Sequence, residues 1–205
     1  MREPTTRRSP ETRGQAFTLE AVVAAVVVMV SLLFALQVAG VTSLSASTAS
    51  GHLVDQQESV AAGVLDTAAA DGSIEPTLLF WDDGEGTFYR SEITEPFYAA
   101  GPPTAFGAHL NETLTDRHVA YNVNLYGTDR NGTVVRRALV RNGRPSDDAV
   151  AATRTVTLYD DDRLLAANGT ATGPTLANAS FYVPDADPDG PLYNVVRVEV
   201  VAWPV

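Results

Sequence analysis

An uninterrupted apolar run near the N-terminus constrains this chain more than any other feature. From Ala21 to Val41 no residue is charged, and only Ser31 and Gln37 are notably polar. At about 1.5 Å per residue, a helix of this length covers about 32 Å, which matches a hydrocarbon layer of about 30 Å. The run therefore predicts a transmembrane helix over residues 15–41, with membrane lipid around it.

Charges in front of the run predict its orientation. The leader, residues 1–14, carries four Arg residues, and basic segments stay on the cytoplasmic side of a membrane. We therefore expect a single-pass protein of the cell membrane, with a cytoplasmic N-terminus and an extracellular C-terminal domain. A carboxylate at the edge of an apolar helix is costly in lipid, so Glu20 is expected to have a function.

The junction Gly14-Gln15-Ala16-Phe17-Thr18-Leu19-Glu20 resembles a type IV prepilin signal. The resemblance implies that a prepilin peptidase cuts after Gly14, that Gln15 becomes the N-terminus, and that the apolar helix is retained. It also implies other pilin-like subunits and their assembly machinery as partners, with Glu20 at the subunit contact. The register differs from the common pattern of the family, which places Phe first and Glu fifth after the cut.

Two other interpretations of the run remain open. One is a plain signal anchor in which Gly14 and Glu20 are accidental. The other is a secretory signal peptide cut near Ala46 or Ala49, although the apolar cores of such peptides are shorter, at roughly 7–15 residues.

The charge balance suggests an unusual habitat. All 14 basic residues are Arg, and the net charge is −11. Residues 42–205 hold ten Arg and 22 acids, a balance of 10 − 22 = −12, which opposes compaction unless salt screens it. This composition resembles that of proteins from extreme halophiles, especially haloarchaea. We expect no nucleic-acid binding, because the sequence has no basic stripe to neutralise phosphates.

Four Asn-x-Ser/Thr acceptors follow the apolar run, which predicts a glycoprotein exposed at the cell surface. The chain has no Cys, so disulfides and thiolate chemistry are excluded, and an exported domain must be stabilised by its core alone. The four acceptor residues are Asn111, Asn131, Asn168 and Asn178.

Hydrophobic periodicity predicts an α+β fold, with a long N-terminal transmembrane and amphipathic helix followed by an antiparallel β-sheet domain. Apolar residues at three- and four-residue spacing extend the helix through an extracellular segment, residues 42–72, until Gly72 ends it. Residues 73–205 follow a period of two and form the β-rich domain. Within it we predict strands over 77–81, 87–90, 119–125, 133–140, 152–159 and 192–203, and an exposed loop over 166–180.

Asp185, Asp187 and Asp189 precede Gly190 in a pattern that resembles the start of a calcium loop. The twelfth position, where a calcium loop carries Glu, is Val196, so Ca²⁺ binding and a solvated acidic turn both remain open. The three His residues lack the spacing of a zinc site, and no nucleophile or phosphate-binding motif occurs. We therefore expect no catalytic residue, no cofactor and no enzymatic activity.

Further segments resemble haloarchaeal pilin-like proteins of unassigned role, namely residues 105–107, 153–162 and 192–196. Together with the N-terminal junction, they predict a membrane-anchored minor pilin or pseudopilin in a type IV filament or a related cell-envelope assembly. The alternative is a non-polymerising, single-pass anchored surface domain that binds a partner or ligand. Removal of the leader would distinguish the two.

Overall fold

The computed structural model describes the backbone of residues 10–91 and 96–205, and within the first helix the side chains of residues 20–36 and 55–70. The chain divides into two compact units, Met1–His52 and Leu53–Val205. Helix α1 (Pro10–Ala70) contributes residues to both units, and every later element belongs to the second.

The second unit is rich in β-structure, and the helices that follow α1 are short. Its elements are, in chain order, α2 (Ile74–Leu78), β1 (Trp81–Asp82), β2 (Thr87–Phe88), α3 (Ala105–Thr113), β3 (Val119–Thr128), β4 (Val134–Arg141), β5 (Val150–Tyr159) and β6 (Leu192–Pro204). Two 3₁₀ turns, Thr115–Arg117 and Leu176–Asn178, complete the list. Strands β1 and β2 pair as a small hairpin.

The four long strands form one antiparallel sheet in the order β4-β3-β6-β5. Successive side chains of a strand point to opposite faces, and the sequence alternates accordingly. On β3 and β6 the apolar positions are buried on one face, which we call the inner face. Its central residues are Tyr121, Val123, Leu125, Val196, Val198 and Val200.

The C-terminal part of α1 shares a hydrophobic core with the inner face. Ala61, Val64, Leu65 and Ala68 are buried in that core at the three- and four-residue spacing of one helix face. Asp55, Glu58 and Asp66 are exposed, as the amphipathic pattern predicts. The helix ends where Gly72 adopts a positive φ of 71°.

The predicted fold class and localisation need correction. Among the residues that the structure describes, no helix is both long enough and apolar enough to cross a membrane. The prediction of a single-pass membrane anchor, and of the location built on it, is therefore wrong for the described structure. What the structure contains is a β-sheet-rich domain with short helices.

Two local predictions also differ from the structure. The strand predicted over 77–81 begins inside helix α2, in which Ile74 and Leu78 lie one turn apart and are both buried, and only Trp81 of that range belongs to a strand. The loop predicted to be exposed over 166–180 contains Leu176, which is buried in the core. The four strands predicted over 119–125, 133–140, 152–159 and 192–203 are confirmed, with bounds that differ by up to three residues.

Candidate functional sites

The described N-terminal part of α1 is apolar on every side. Its eleven large hydrophobic side chains are 54–69% exposed, and at 100° per residue they cover all faces of the helix. Ser31 donates its hydroxyl to the Val27 carbonyl at 2.8 Å, so its polarity is satisfied within the helix. We call residues 21–36 the apolar segment. Its large side chains are Val22, Val23, Val26, Val27, Val28, Met29, Val30, Leu32, Leu33, Phe34 and Leu36.

Glu20 is the exposed residue that begins this stretch of described side chains. Gly14 and Gln15, the residues of the predicted cleavage, lie outside the described side chains. Of the three residues that the prepilin resemblance implies to be functional, Glu20 is the one whose side chain is described, and it directly precedes the apolar segment.

The second surface is the outer face of the sheet, opposite the core. Strands β3 and β6 place polar residues there because their register pairs Asn124 with Glu199 and Tyr126 with Arg197. Strand β4 adds Arg136, which pairs with Tyr126. Polar and charged side chains from three neighbouring strands thus meet on one face.

Glu199 lies at the centre of this network. Its Oε2 accepts hydrogen bonds from the Asn124 amide at 2.9 Å and from the Tyr126 hydroxyl at 2.8 Å. Asn124 is only 5% exposed, and its Oδ1 in turn accepts a bond of 2.8 Å from the Arg136 guanidinium. The network holds these side chains in fixed orientations.

Tyr126 is a hydrogen-bond donor at neutral pH. Burial, followed by the hydrogen bond to the Glu199 carboxylate, raises the pKa of its hydroxyl. Guanidinium carbons lie over its ring at 4.6 Å for Arg197 and 6.0 Å for Arg136, which are cation–π distances. The ring is therefore held in place by charged neighbours.

A groove of about 590 Å³ opens above this network. The loop after β4 forms one wall, and the Asn122 side chain fixes that loop by donating to the Gly143 carbonyl at 3.0 Å and accepting from the Asn142 N–H at 2.8 Å. We call this space the outer-face groove. Its polar lining residues are Asn122, Asn124, Tyr126, Arg136, Arg141, Arg144 and Glu199.

The structure does not assemble the predicted calcium loop into a metal site. Among the residues that it describes, no group of three or more His, Asp or Glu side chains is arranged to hold a metal ion. The Asp187 N–H donates to the Asp185 carboxylate at 2.9 Å, which is the geometry of a local turn. Ca²⁺ binding and a solvated acidic turn both stay predictions for this segment.

The four predicted glycosylation acceptors all have exposed side chains. Asn131 lies in the turn between β3 and β4, and Asn168 accepts a hydroxyl bond of 2.7 Å from Thr170 of its own sequon. Asn178 ends a 3₁₀ turn, whereas the Asn111 Oδ1 on α3 accepts a bond from Tyr121 at 2.9 Å. Their glycosylation stays a prediction.

The outer-face groove was not predicted from the sequence. Its signal was present as the alternation of Asn122, Asn124 and Tyr126 on β3 and of Arg197 and Glu199 on β6. Which β3 residue faces which β6 residue depends on strand order and register, and β3 and β6 are about 70 residues apart. A single sequence does not define that pairing.

The chain belongs to DUF7288, a family of unknown function, whose model matches residues 13–202. This range includes the Gly14 junction, the apolar segment and the large sheet except for the last two residues of β6. No curated protein and no solved structure matches the chain. Its function is therefore argued from its two surfaces.

Proposed function

We propose that this protein is a non-enzymatic, pilin-like subunit, a minor pilin or pseudopilin, of a type IV filament or a related assembly. The observation that carries the proposal is the exposure of the apolar segment on all of its faces. A helix that is hydrophobic all round is normally buried on all sides, and an exposed surface of this kind marks a site of association.

Apolar helices of neighbouring subunits are the occupant that fits the segment best. Full burial of one large aliphatic or aromatic side chain contributes about 1.5–3 kcal/mol, and the segment presents eleven of them. A single partner helix would cover only one face. Several copies packed around each other cover all faces, which is the arrangement at the centre of a filament.

Glu20 has a specific part in this proposal. Cleavage after Gly14 would leave Gln15 with a free ammonium, and an unpaired charge inside an apolar bundle is costly. The Glu20 carboxylate of a neighbouring subunit would neutralise it. The peptidase and the other pilin-like subunits are the partners that this proposal requires.

Two substitutions test the proposal in cells. Gly14→Val should block the loss of residues 1–14, measured by mass spectrometry of the purified protein. Glu20→Ala should leave processing intact but remove the protein from the sheared filament fraction. Glu58→Ala is the matched control, because Glu58 is another exposed glutamate of α1 and lies outside the apolar segment.

Two results would contradict the pilin assignment. An intact leader in the wild-type protein would exclude processing at Gly14. Equal filament recovery for Glu20→Ala and Glu58→Ala would remove the role of Glu20 and favour a processed protein that does not polymerise.

The second candidate function is a non-polymerising domain that binds a partner or ligand. The outer-face groove favours it, because it is concave and presents several polar groups that hydrogen bonds hold in place, and such groups orient ligands. The two functions are compatible, since the apolar segment and the groove belong to different units.

A further inference from the structure

We propose that the outer-face groove binds a sugar acid, meaning a pyranose-sized ligand that carries a carboxylate and several hydroxyl groups. This inference goes beyond the pilin proposal and does not depend on it. It rests on the local charge, the unsatisfied hydrogen-bonding groups and the size of the groove.

The charge of the groove is opposite to that of the protein. Its described lining contains three Arg residues and one acid, Glu199, although the whole chain has a net charge of −11. Three guanidinium groups on one small surface favour an anion. Arginine suits a carboxylate in particular, because its planar fork binds both oxygens at once.

The groove also presents donors and an acceptor that the protein itself leaves available. Arg136 uses Nη2 to bond Asn124, which leaves its other N–H groups for a ligand. Arg144 is exposed, and no described residue accepts a hydrogen bond from it. Glu199 receives both of its hydrogen bonds at Oε2, so Oε1 can accept a further one.

This combination distinguishes a sugar acid from an acidic peptide. Carboxylate side chains only accept hydrogen bonds, so they cannot use the free Oε1 of Glu199, whereas sugar hydroxyls donate to it while the sugar carboxylate binds arginine. The volume of about 590 Å³ is within the range of small-molecule sites.

Apolar surface for the C–H face of a sugar lies next to the groove. Val134 and Val195 are 60% and 46% exposed, and they line a smaller depression together with Tyr126, which the groove shares. The fixed network beneath these residues reduces the ordering cost of binding.

The test is a titration of the full chain with D-glucuronate, monitored by calorimetry, with D-glucose as the neutral control of the same ring size. We expect saturable binding of glucuronate at millimolar concentration and at least tenfold weaker binding of glucose. Arg144→Gln should weaken glucuronate binding about tenfold, equivalent to about 1.4 kcal/mol. Arg130→Gln is the matched control, since Arg130 is exposed, lies in the β3–β4 turn and does not line the groove.

Several outcomes would overturn the proposal. They are the absence of glucuronate binding, binding of glucose as tight as that of glucuronate, and equal losses of glucuronate affinity in Arg144→Gln and Arg130→Gln. The last result would indicate attraction by the general electrostatic field of the protein and not a site. Tighter binding of an acetylated tri-aspartate peptide than of glucuronate would replace the sugar acid with an acidic protein segment. Circular dichroism of both variants checks that the exposed substitutions leave the fold intact.

Discussion

Gly107 should be intolerant of the smallest possible side chain. It lies in the first turn of α3, where its N–H faces the Thr104 hydroxyl oxygen that caps the helix at 3.4 Å. A Cβ placed on Gly107 would lie 1.8 Å from the carbonyl oxygen of Pro102. The Thr104 N–H holds that carbonyl by a hydrogen bond of 2.8 Å, so the oxygen cannot move aside freely.

The magnitude follows from this overlap. Cβ atoms essentially never approach another heavy atom closer than 3.0 Å, so helix or carbonyl must shift by 3.0 − 1.8 = 1.2 Å or more. Overpacking costs about 1–3 kcal/mol, and the cost is at the upper end here because the clashing atom belongs to the backbone. Alanine recovers up to about 1 kcal/mol of helix propensity. We therefore expect Gly107→Ala to lower the free energy of unfolding by about 2 kcal/mol.

Thermal unfolding followed by circular dichroism measures this loss in the full chain. A destabilisation of about 2 kcal/mol lowers Tm by about 4–8 °C in a protein of this size. Gly63→Ala is the matched control, because Gly63 is exposed on α1 and a Cβ there would meet nothing within 4 Å. It should raise Tm by about 2–4 °C. If Gly107→Ala melts at or above the wild-type temperature, α3 does not pack against Pro102 as described.

Three further predictions concern buried polarity, salt and pH. Asn194 is fully buried, and its amide donates to the Thr128 and Pro184 carbonyls at 2.7 and 2.8 Å. Asn194→Asp should therefore lower the free energy of unfolding by at least about 3 kcal/mol, whereas Asn178→Asp, at an exposed position, should lower it far less. Lowering salt from molar to about 0.1 M increases the Debye length from about 3 to about 10 Å and should lower Tm, because the carboxylates then repel one another over a longer distance. An unchanged Tm would contradict the prediction that the protein is halophilic. Hydrogen bonds from Ser73, and then from His109, lower the pKa of the Asp71 carboxyl. The stability that Asp71 adds over Asp71→Asn should therefore be complete above its unfolded pKa of 3.8 and disappear as pH falls below it, which melting curves across that range would measure.

The salt prediction gains support from the distribution of ion pairs. The described side chains form two, Asp66 with Arg154 and Asp71 with His109, and both pairs are partly exposed. Surface pairs of this kind contribute little to stability, and most carboxylates of the second unit form no ion pair with a described residue. We therefore expect screening by salt to add to the stability of this domain.

The sheet was predictable because its signal is local. Residues 121–125 of β3 and 196–200 of β6 alternate strictly between apolar and polar side chains, and this period of two predicts both a strand and its buried face. The amphipathic stripe on α1 through Val64 and Ala68 was predictable for the same reason.

Elements without a local signal were missed. Helix α3 has nine residues and one short buried stripe, formed by Phe106 and Leu110, and it is specified by its cap at Thr104 and by packing of Gly107 against Pro102. Helix α2 has only five residues, and its last two were predicted to begin a strand. Short elements of this kind depend on tertiary contacts that a pattern does not contain.

The apolar run led to a different error. Its apolar composition was recognised, but the prediction of a bilayer as its environment was wrong. Twenty-one uncharged residues are compatible with several apolar environments, and length alone selected the bilayer among them. The structure leaves the described side chains of residues 21–36 exposed, and none of the helices that it describes is long and apolar enough to span a membrane, so this surface requires another explanation. Association of copies through this segment is the explanation that we propose.

The two proposed sites make different physical demands, which allows their roles to be separated. Packing of the apolar segment strengthens as salt is added, because it is driven by hydrophobic burial and opposed by the repulsion between acidic domains. Binding of a carboxylate to Arg136 and Arg144 weakens as salt is added, because the attraction is Coulombic and screened. An increase of salt should therefore favour assembly and oppose glucuronate binding in the same molecule. Since Glu20 and Arg144 lie in different units, a change at one should leave the salt response of the other unaltered.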